Sequence, residues 1–216
     1  MAAKKSFNQA VGRHAWSEMK KVLLLFCQGT EIMEAAAFYD VLGWSGSEGL
    51  EPVKVVTGGL RKEVTCTFGL KVVVDVLLPD VDPGDYAALA IPGGFEEFGF
   101  YQEAYSAGVQ ALISRFAELG KPISSICVGA LPIARTGLLN GKPATVYHLG
   151  DGRRRKQLAD FGASVVDEAV VRAGNITTST SPATAAEVAL DLLAQVTSAE
   201  GAARIRHLMG FAPVRK

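Results

Sequence analysis

The sequence predicts an α/β protein, a single-domain three-layer α/β/α sandwich with a mostly parallel sheet. Three observations carry that prediction. KVLLLFC (21–27) and the apolar centre of DYAALAIPGG (85–94) are continuous apolar runs of strand length. Strands of that kind are buried on both faces, the situation of a parallel sheet covered by helices. These runs alternate with helix-forming stretches that end in glycine, such as TEIMEAAAFYDVLGWSG (30–46) and AYSAGVQALISRFAELG (104–120), and such alternation implies βα units. The chain has 216 residues, 49% of them hydrophobic, which suffices for one sizeable core.

The elements follow in order. KVLLLFC is the first strand, and residues 30–46 form the first helix. VKVVTGG (53–59) is a second strand ending at a glycine pair. EVTCTFG and LKVVVDV form a hairpin-like excursion. DYAALAIPGG is a buried strand stopped by Pro-Gly-Gly, and residues 104–120 carry apolar side chains at helical spacing. KPISSIC returns to strand, and VGALPIARTGLL reads as helix. GASVV, the strand-like AVVRAGNITTST and the helix PATAAEVALDLLAQV complete the domain. No repeat, low-complexity tract or Pro/Ser linker divides it. Residues 1–18 read as an N-terminal extension, 19–197 as the domain, and 198–216 as a C-terminal helix and tail.

Composition excludes several function classes. Lys plus Arg and Asp plus Glu are 22 each, so the formal net charge is zero and no nucleic-acid surface is implied. RRRK (153–156) lies in a helical pattern near Asp151 and Asp160 and reads as a solvated helix face. Three cysteines, Cys27, Cys66 and Cys127, lack paired short spacings. They fit a reducing compartment without disulfides or structural zinc. The first twenty residues never build the apolar segment of a secretory signal. VLLLF is too short to span a bilayer. A cytoplasmic protein with no membrane partner is expected.

In a parallel sheet, ligands bind beyond the carboxyl ends of the strands. Three such ends stand out: CQGTEIME, IPGGFEEFGF and SSICVGALP. Cys127 sits where a strand must turn sharply into a helix, with Ser125 two residues before it and Gly129 two after. That is the small-x-nucleophile-x-small pattern of a nucleophile elbow, with Cys in place of Ser. The N–H groups of the following helix favour a thiolate. Pro132 should distort or delay the first turn of that helix. On this pattern alone Cys127 reads either as a nucleophile or as a buried structural thiol. Glu34 reads either as a site acid, desolvated by Ile32, Met33 and Ala35–Ala37, or as a solvated residue of the first helical turn. Glu31 fits the solvated reading better. Phe95, Phe98, Phe100 and Tyr101 follow the glycine pair and either roof a pocket or form one face of a surface helix. Cys27 and Cys66 read as core or interface residues, and His14 and His207 have no motif around them.

These motifs, in this order, resemble the ThiJ/PfpI superfamily, with its flavodoxin-like, class I glutamine amidotransferase-like fold, and most closely its parkinsonism-associated deglycase-like branch. GTEIME (29–34), IPGGFEE (91–97), SICVGALPIARTGLLNGKPATVY (125–147) and TSTSPATAAEVALDLL (178–193) carry the resemblance, which extends over residues 20 to about 197. It implies Cys127 as nucleophile, and Glu34 as a protonated acid or proton carrier beside its sulfur. It implies an oxyanion hole from the N–H groups of Gly94 and Val128, with Gly93 and Phe95 in the pocket. The thiol pKa would then fall below its ordinary value of about 8.5, and alkylation near pH 6 would select Cys127.

The chain departs from that branch at two points. A histidine expected after the elbow helix is replaced in PATVYHLG by Tyr147, with His148 one place later. Strand side chains alternate faces, so either a bulge brings His148 into the site or Tyr147 occupies it. Protease-like members carry histidine directly after the cysteine, where Val128 stands here, which argues against a peptidase. The resemblance implies a homodimer, with the hairpin around Cys66 and the first helix as its surfaces. It also implies a small-molecule aldehyde substrate and no metal or organic cofactor. The expected activity is that of a glyoxalase or deglycase converting methylglyoxal to lactate. An isocyanide hydratase, and a redox-sensing or chaperone-like protective protein that uses oxidation of Cys127, are the alternatives.

Overall fold

A computed structural model of the protein describes residues 19–47 and 51–211; the expected extension at 1–18, His14 with it, lies outside the described residues. The main sheet has seven strands: β1 (Lys20–Phe26), β2 (Val53–Gly59), β5 (Val76–Leu77), β6 (Ala88–Ile91), β7 (Ile123–Ser125), β10 (Val170–Ala173) and β11 (Ile176–Ser179). Their spatial order is β10-β11-β7-β6-β1-β2-β5. Every neighbouring pair is parallel except β10 with β11, the two halves of AVVRAGNITTST, which form an edge hairpin. The excursion folds as β3 (Glu63–Thr65) and β4 (Lys71–Val73), an antiparallel pair outside the main sheet. β8 (Pro143–Ala144) and β9 (Ser164–Val165) pair separately.

Among the described residues seven α-helices accompany the strands: α1 (Ile32–Ser47), α2 (Phe100–Ala104), α3 (Ala107–Glu118), α4 (Ala130–Arg135), α5 (Arg153–Asp160), α6 (Ala185–Val196) and α7 (Ala199–Leu208). They divide into two layers, and the division explains why the strands are apolar throughout. Along β1, Leu23 and Leu25 point to one face, into a core with Phe100, Ile113, Phe116 and Ile133 of α2, α3 and α4. Val22, Leu24 and Phe26 point to the other, into a core with Phe38, Leu42, Val188 and Ile205 of α1, α6 and α7. From Val22 on, each residue of β1 therefore has a hydrophobic destination whichever way it points.

Two local features refine the expected helices. The stretch 104–120 does not form one helix. The Ser106 hydroxyl accepts the Val109 N–H at 3.4 Å, capping a new helix at Ala107. After the elbow, Cys127–Gly129 form a 3-10 turn before α4. That tight start leaves Pro132 within the first turn of α4, where its missing N–H costs no helical hydrogen bond.

Phe38 is fully buried between α1 and the sheet. Phe38→Ala should lower the unfolding free energy by about 3–5 kcal/mol. Urea unfolding with an unchanged denaturant slope is the expected record.

Candidate active site

Three strand ends meet at one edge of the sheet, and the loops leaving them are stitched together. After β1, the Thr30 hydroxyl accepts the Cys27 N–H at 3.0 Å and donates to the Cys27 carbonyl at 2.7 Å, closing a tight turn. That turn meets the loop after β6 through two hydrogen bonds: Glu31 N–H to the Gly93 carbonyl, 2.9 Å, and Phe95 N–H to the Gly29 carbonyl, 3.0 Å. The stitch requires small residues. A Cβ on Gly94 would lie 2.4 Å from both the Gly29 carbonyl oxygen and the Phe100 ring.

Glu34, in the first turn of α1, is completely buried. Its Oε2 accepts the Gly93 N–H at 2.6 Å. Its Oε1 is buried without a hydrogen-bond partner, and the Cys127 thiol acts on the carboxyl group in the direction that lowers its pKa. Burial pushes the Glu34 pKa up to about 8, against the lowering effect of the Gly93 N–H, with the Glu31 charge adding to the rise.

Cys127 follows β7 with φ of +56°, a left-handed conformation unusual for a residue with a Cβ. The small flanks have a steric cause. A Cβ on Gly129 would fall 2.5 Å from the Ile91 carbonyl oxygen, so β6 and the elbow could not approach. Gly93 is packed tightly, though less so: a Cβ there would lie 3.0 Å from both Glu34 Oε2 and Val128 N, and 3.1 Å from Cys127 Cβ. The Gly94 N–H donates to no other group among the described residues. The Val128 N–H acts on the sulfur in the direction that favours thiolate.

The thiol pKa departs from the sequence expectation. Burial, followed by the charge of Glu34, pushes the Cys127 thiol well above the ordinary range, and the Val128 N–H opposes this only in part. Cys66 is pushed up to about 11 by burial and by Glu31. Cys27 is pushed up further, by burial and then by Glu103. Cys127 therefore differs from the other two in access. Cys27 and Cys66 are buried core thiols, whereas Cys127 is half-buried and lines a cleft.

The cleft has a volume of about 700 Å³. Glu34, Cys127, Gly94, Val128, Phe95 and Tyr147 all line it. Gly93 lies behind, holding Glu34. His148 is not among the lining residues, and no bulge brings it in. Residues 145–148 are irregular beyond the short β8, and Tyr147 takes the inward position.

Sequence reasoning missed part of the wall. Arg154, expected on a solvated helix face, is buried. Its guanidinium pairs with Glu96 Oε2 at 2.7 Å, donates to Gln157 Oε1 at 2.8 Å and lies 4.7 Å from the centre of the Tyr101 ring. Leu149, and Ser181–Ala183 beyond β11, complete the wall. The TSTSPAT stretch offered a signal for the last three, since it too is a strand end.

Comparison with known proteins places this architecture. The sequence pattern of the DJ-1/PfpI family matches residues 20–195. The chain is 29% identical to the dj-1beta protein of Drosophila melanogaster over 183 residues, which is 84% of this chain and 91% of that one. The crystal structure of Drosophila DJ-1beta superposes with a TM-score of 0.79 at 28% identity, covering 90% of this chain and all of that one. The oxidised DJ-1 of Toxoplasma gondii superposes with a TM-score of 0.74, also at 28% identity, covering 90% of this chain and all of that one. A Bacillus subtilis protein, YraA, named as a candidate cysteine protease, is 40% identical over 121 residues, 56% of this chain and 68% of that one. With the family pattern spanning both layers of the sandwich and all three strand ends, the chain belongs to the DJ-1/PfpI family.

Proposed function

We propose that the cleft carries out cysteine-dependent chemistry on a small carbonyl electrophile, converting a 2-oxoaldehyde to a 2-hydroxy acid, as methylglyoxal to lactate. The observation that supports it is an accessible thiol set against a fully buried carboxyl group whose pKa is raised to about 8. Two acids in contact titrate as a pair. Once the pair has lost one proton, the remaining proton can sit on Glu34 and leave a thiolate on Cys127. Reactivity then rises with pH through about 8, rather than being complete near pH 6.

The thiolate adds to the aldehyde carbon, forming a C–S bond. The carbonyl oxygen takes the electron pair between the Gly94 and Val128 N–H groups and receives the proton of Glu34. Tyr147 offers a hydroxyl to the neighbouring oxygen. The Glu34 carboxylate then removes the remaining hydrogen of that carbon as a proton and returns it to the adjacent carbon, while the hydroxyl proton passes from the former aldehyde oxygen to the former ketone oxygen, leaving a thioester. The former aldehyde carbon is oxidised and the ketone carbon reduced, so no outside oxidant enters. Water hydrolyses the resulting thioester, releasing the acid and the thiol. A peptidase reading draws no support from the wall, because no histidine lines the cleft among the described residues.

A second reading uses the same pair. Peroxide oxidises Cys127 to a sulfinate, and protonated Glu34 donates to it. The relative solved in oxidised form supports keeping this reading, and the assay below separates the two.

The exposed apolar side chains of Met33 and Tyr39 on α1, and of Phe68, Leu70 and Val73 on the hairpin, support a homodimer through those surfaces.

Purified protein incubated with methylglyoxal should form lactate. Cys127→Ala should abolish turnover, and Glu34→Gln should lower kcat/KM about 10²–10⁴-fold. Lactate formation that survives in Cys127→Ala would remove the nucleophile assignment. The raised Glu34 pKa has a second consequence. Native protein keeps this proton up to about pH 8, whereas the unfolded chain loses it near the ordinary value of about 4.3. Stability should therefore fall as pH rises between those values. Glu34→Gln should abolish this fall, which is on the order of a few kcal/mol in urea titrations. Light scattering should give a dimer at micromolar concentration, and Leu70→Glu should shift it to monomer.

A further inference from the structure

We propose that the cleft selects 2-oxoaldehydes bearing an aryl or branched-alkyl group over methylglyoxal. This rests on the thiol reading above and adds the identity of the substrate's tail.

Size comes first. A volume of about 700 Å³ lies within the range of sites that enclose drug-sized ligands. A three-carbon oxoaldehyde on Cys127 leaves most of it filled with water. The walls come second. Phe95 and Leu149 both line the cleft, yet remain 42% and 58% exposed. Large apolar side chains turned into a wet cleft gain stability when a ligand covers them. Phe95 is held in place: its ring lies 6.2 Å from that of Phe98 at 73° and 6.0 Å from that of Phe68 at 59°. Such edge and tilted contacts pre-organise the wall, so little entropy is lost when a second ring packs on it. Pro182 and Ala183 add further apolar surface.

Charge comes third. Glu31, Glu96, Glu97 and Asp151 line the cleft with two cations, Arg153 and Arg154. Both cations have partners. Arg154 is bound to Glu96 and Gln157, and Arg153 lies 3.6 Å from Glu96 and 3.7 Å from Asp151. A substrate carrying a carboxylate or phosphate meets a net acidic rim, whereas a neutral aryl or branched-alkyl oxoaldehyde does not. The same rim repels the 2-hydroxy acid once it forms, which favours its release.

The test separates tail selection from turnover. The whole protein is treated with 2-bromoacetophenone or with bromoacetone, which share the carbonyl-plus-electrophilic-carbon skeleton and differ in the tail. In each case a C–S bond forms, the C–Br bond breaks, and the thiol proton leaves. Cys127 alkylation is followed by peptide mapping, and each rate is divided by the rate with glutathione. The aryl-to-methyl ratio of these normalised rates should be about tenfold or more. Phe95→Ala and Leu149→Ala, at partly exposed positions, should each lower the ratio about three- to tenfold. The ratio of kcat/KM for phenylglyoxal to mandelate against methylglyoxal to lactate should move in parallel. If Cys127 reacts with both reagents at a ratio near one, or if the ratio is unchanged in both variants, tail selection is refuted while the thiol reading stands. If Cys127 reacts with neither while Cys27 or Cys66 does, both fall.

Discussion

The hydrogen bond from the Gly93 amide to the Glu34 carboxyl is the constraint on which the cleft depends. At 2.6 Å it fixes a group that would otherwise be an unsatisfied acid in the core. One end of it belongs to the loop after β6 and the other to the first turn of α1. Without that bond the carboxyl group would leave for solvent or leave two orphaned oxygens, at a cost of several kcal/mol. With it, Oε2 is satisfied and Oε1 alone of the two carboxyl oxygens is left without a partner. The backbone stitch through Gly93, Gly29, Glu31 and Phe95 holds both ends in register, so the acid meets the elbow whatever the surface loops do.

The arrangement is costly, and the costs fall on one small region. Cys127 occupies a left-handed conformation, Glu34 is desolvated, Gly94 and Gly129 leave no room for a single added carbon, and Gly93 leaves little. Strain persists only where the surroundings over-determine it. Here they do: β1 from Val22 on, and the whole of β6 and β7, are buried beneath, and two helical layers clamp them. The strands are central and parallel, so their loops all leave from the same edge. A site built on such ends inherits the rigidity of the sheet, which close placement of reacting groups requires.

Most of this was legible in the sequence, for physical reasons. A strand buried on both faces must be apolar throughout, and a backbone crossing within contact distance must be glycine. KVLLLFC, IPGG and ICVG carry those constraints in their letters. Where the sequence misled, the deciding quantity was not local. RRRK looks solvated because three of its four charges could be. Arg154 is buried because Glu96, 58 residues earlier in the chain, and the face of Tyr101 receive it. The choice between Tyr147 and His148 turned on where a strand ends, and β8 is only two residues long. The expected low thiol pKa followed from the helix N-terminus and left out burial, which depends on every layer above the sulfur.

The thiol and the acid illustrate why neither can be assigned a role alone. A carboxylate in contact with a thiolate would be two like charges in a poorly solvated space: burial raises both pKa values and the Glu34 charge raises that of Cys127 further, while the hydrogen bond from the Cys127 thiol offsets part of the rise at Glu34. The pair therefore resists losing its second proton far more than its first. One shared proton is the state such a pair supports over a wide pH range. It is also the state in which one partner is a nucleophile and the other an acid, with roles that exchange by moving a single hydrogen. Burial that raises both pKa values is thus compatible with thiol chemistry, provided the two groups remain in contact. The Gly93 amide holds the carboxyl there, and the strained backbone of Cys127 directs the sulfur toward it.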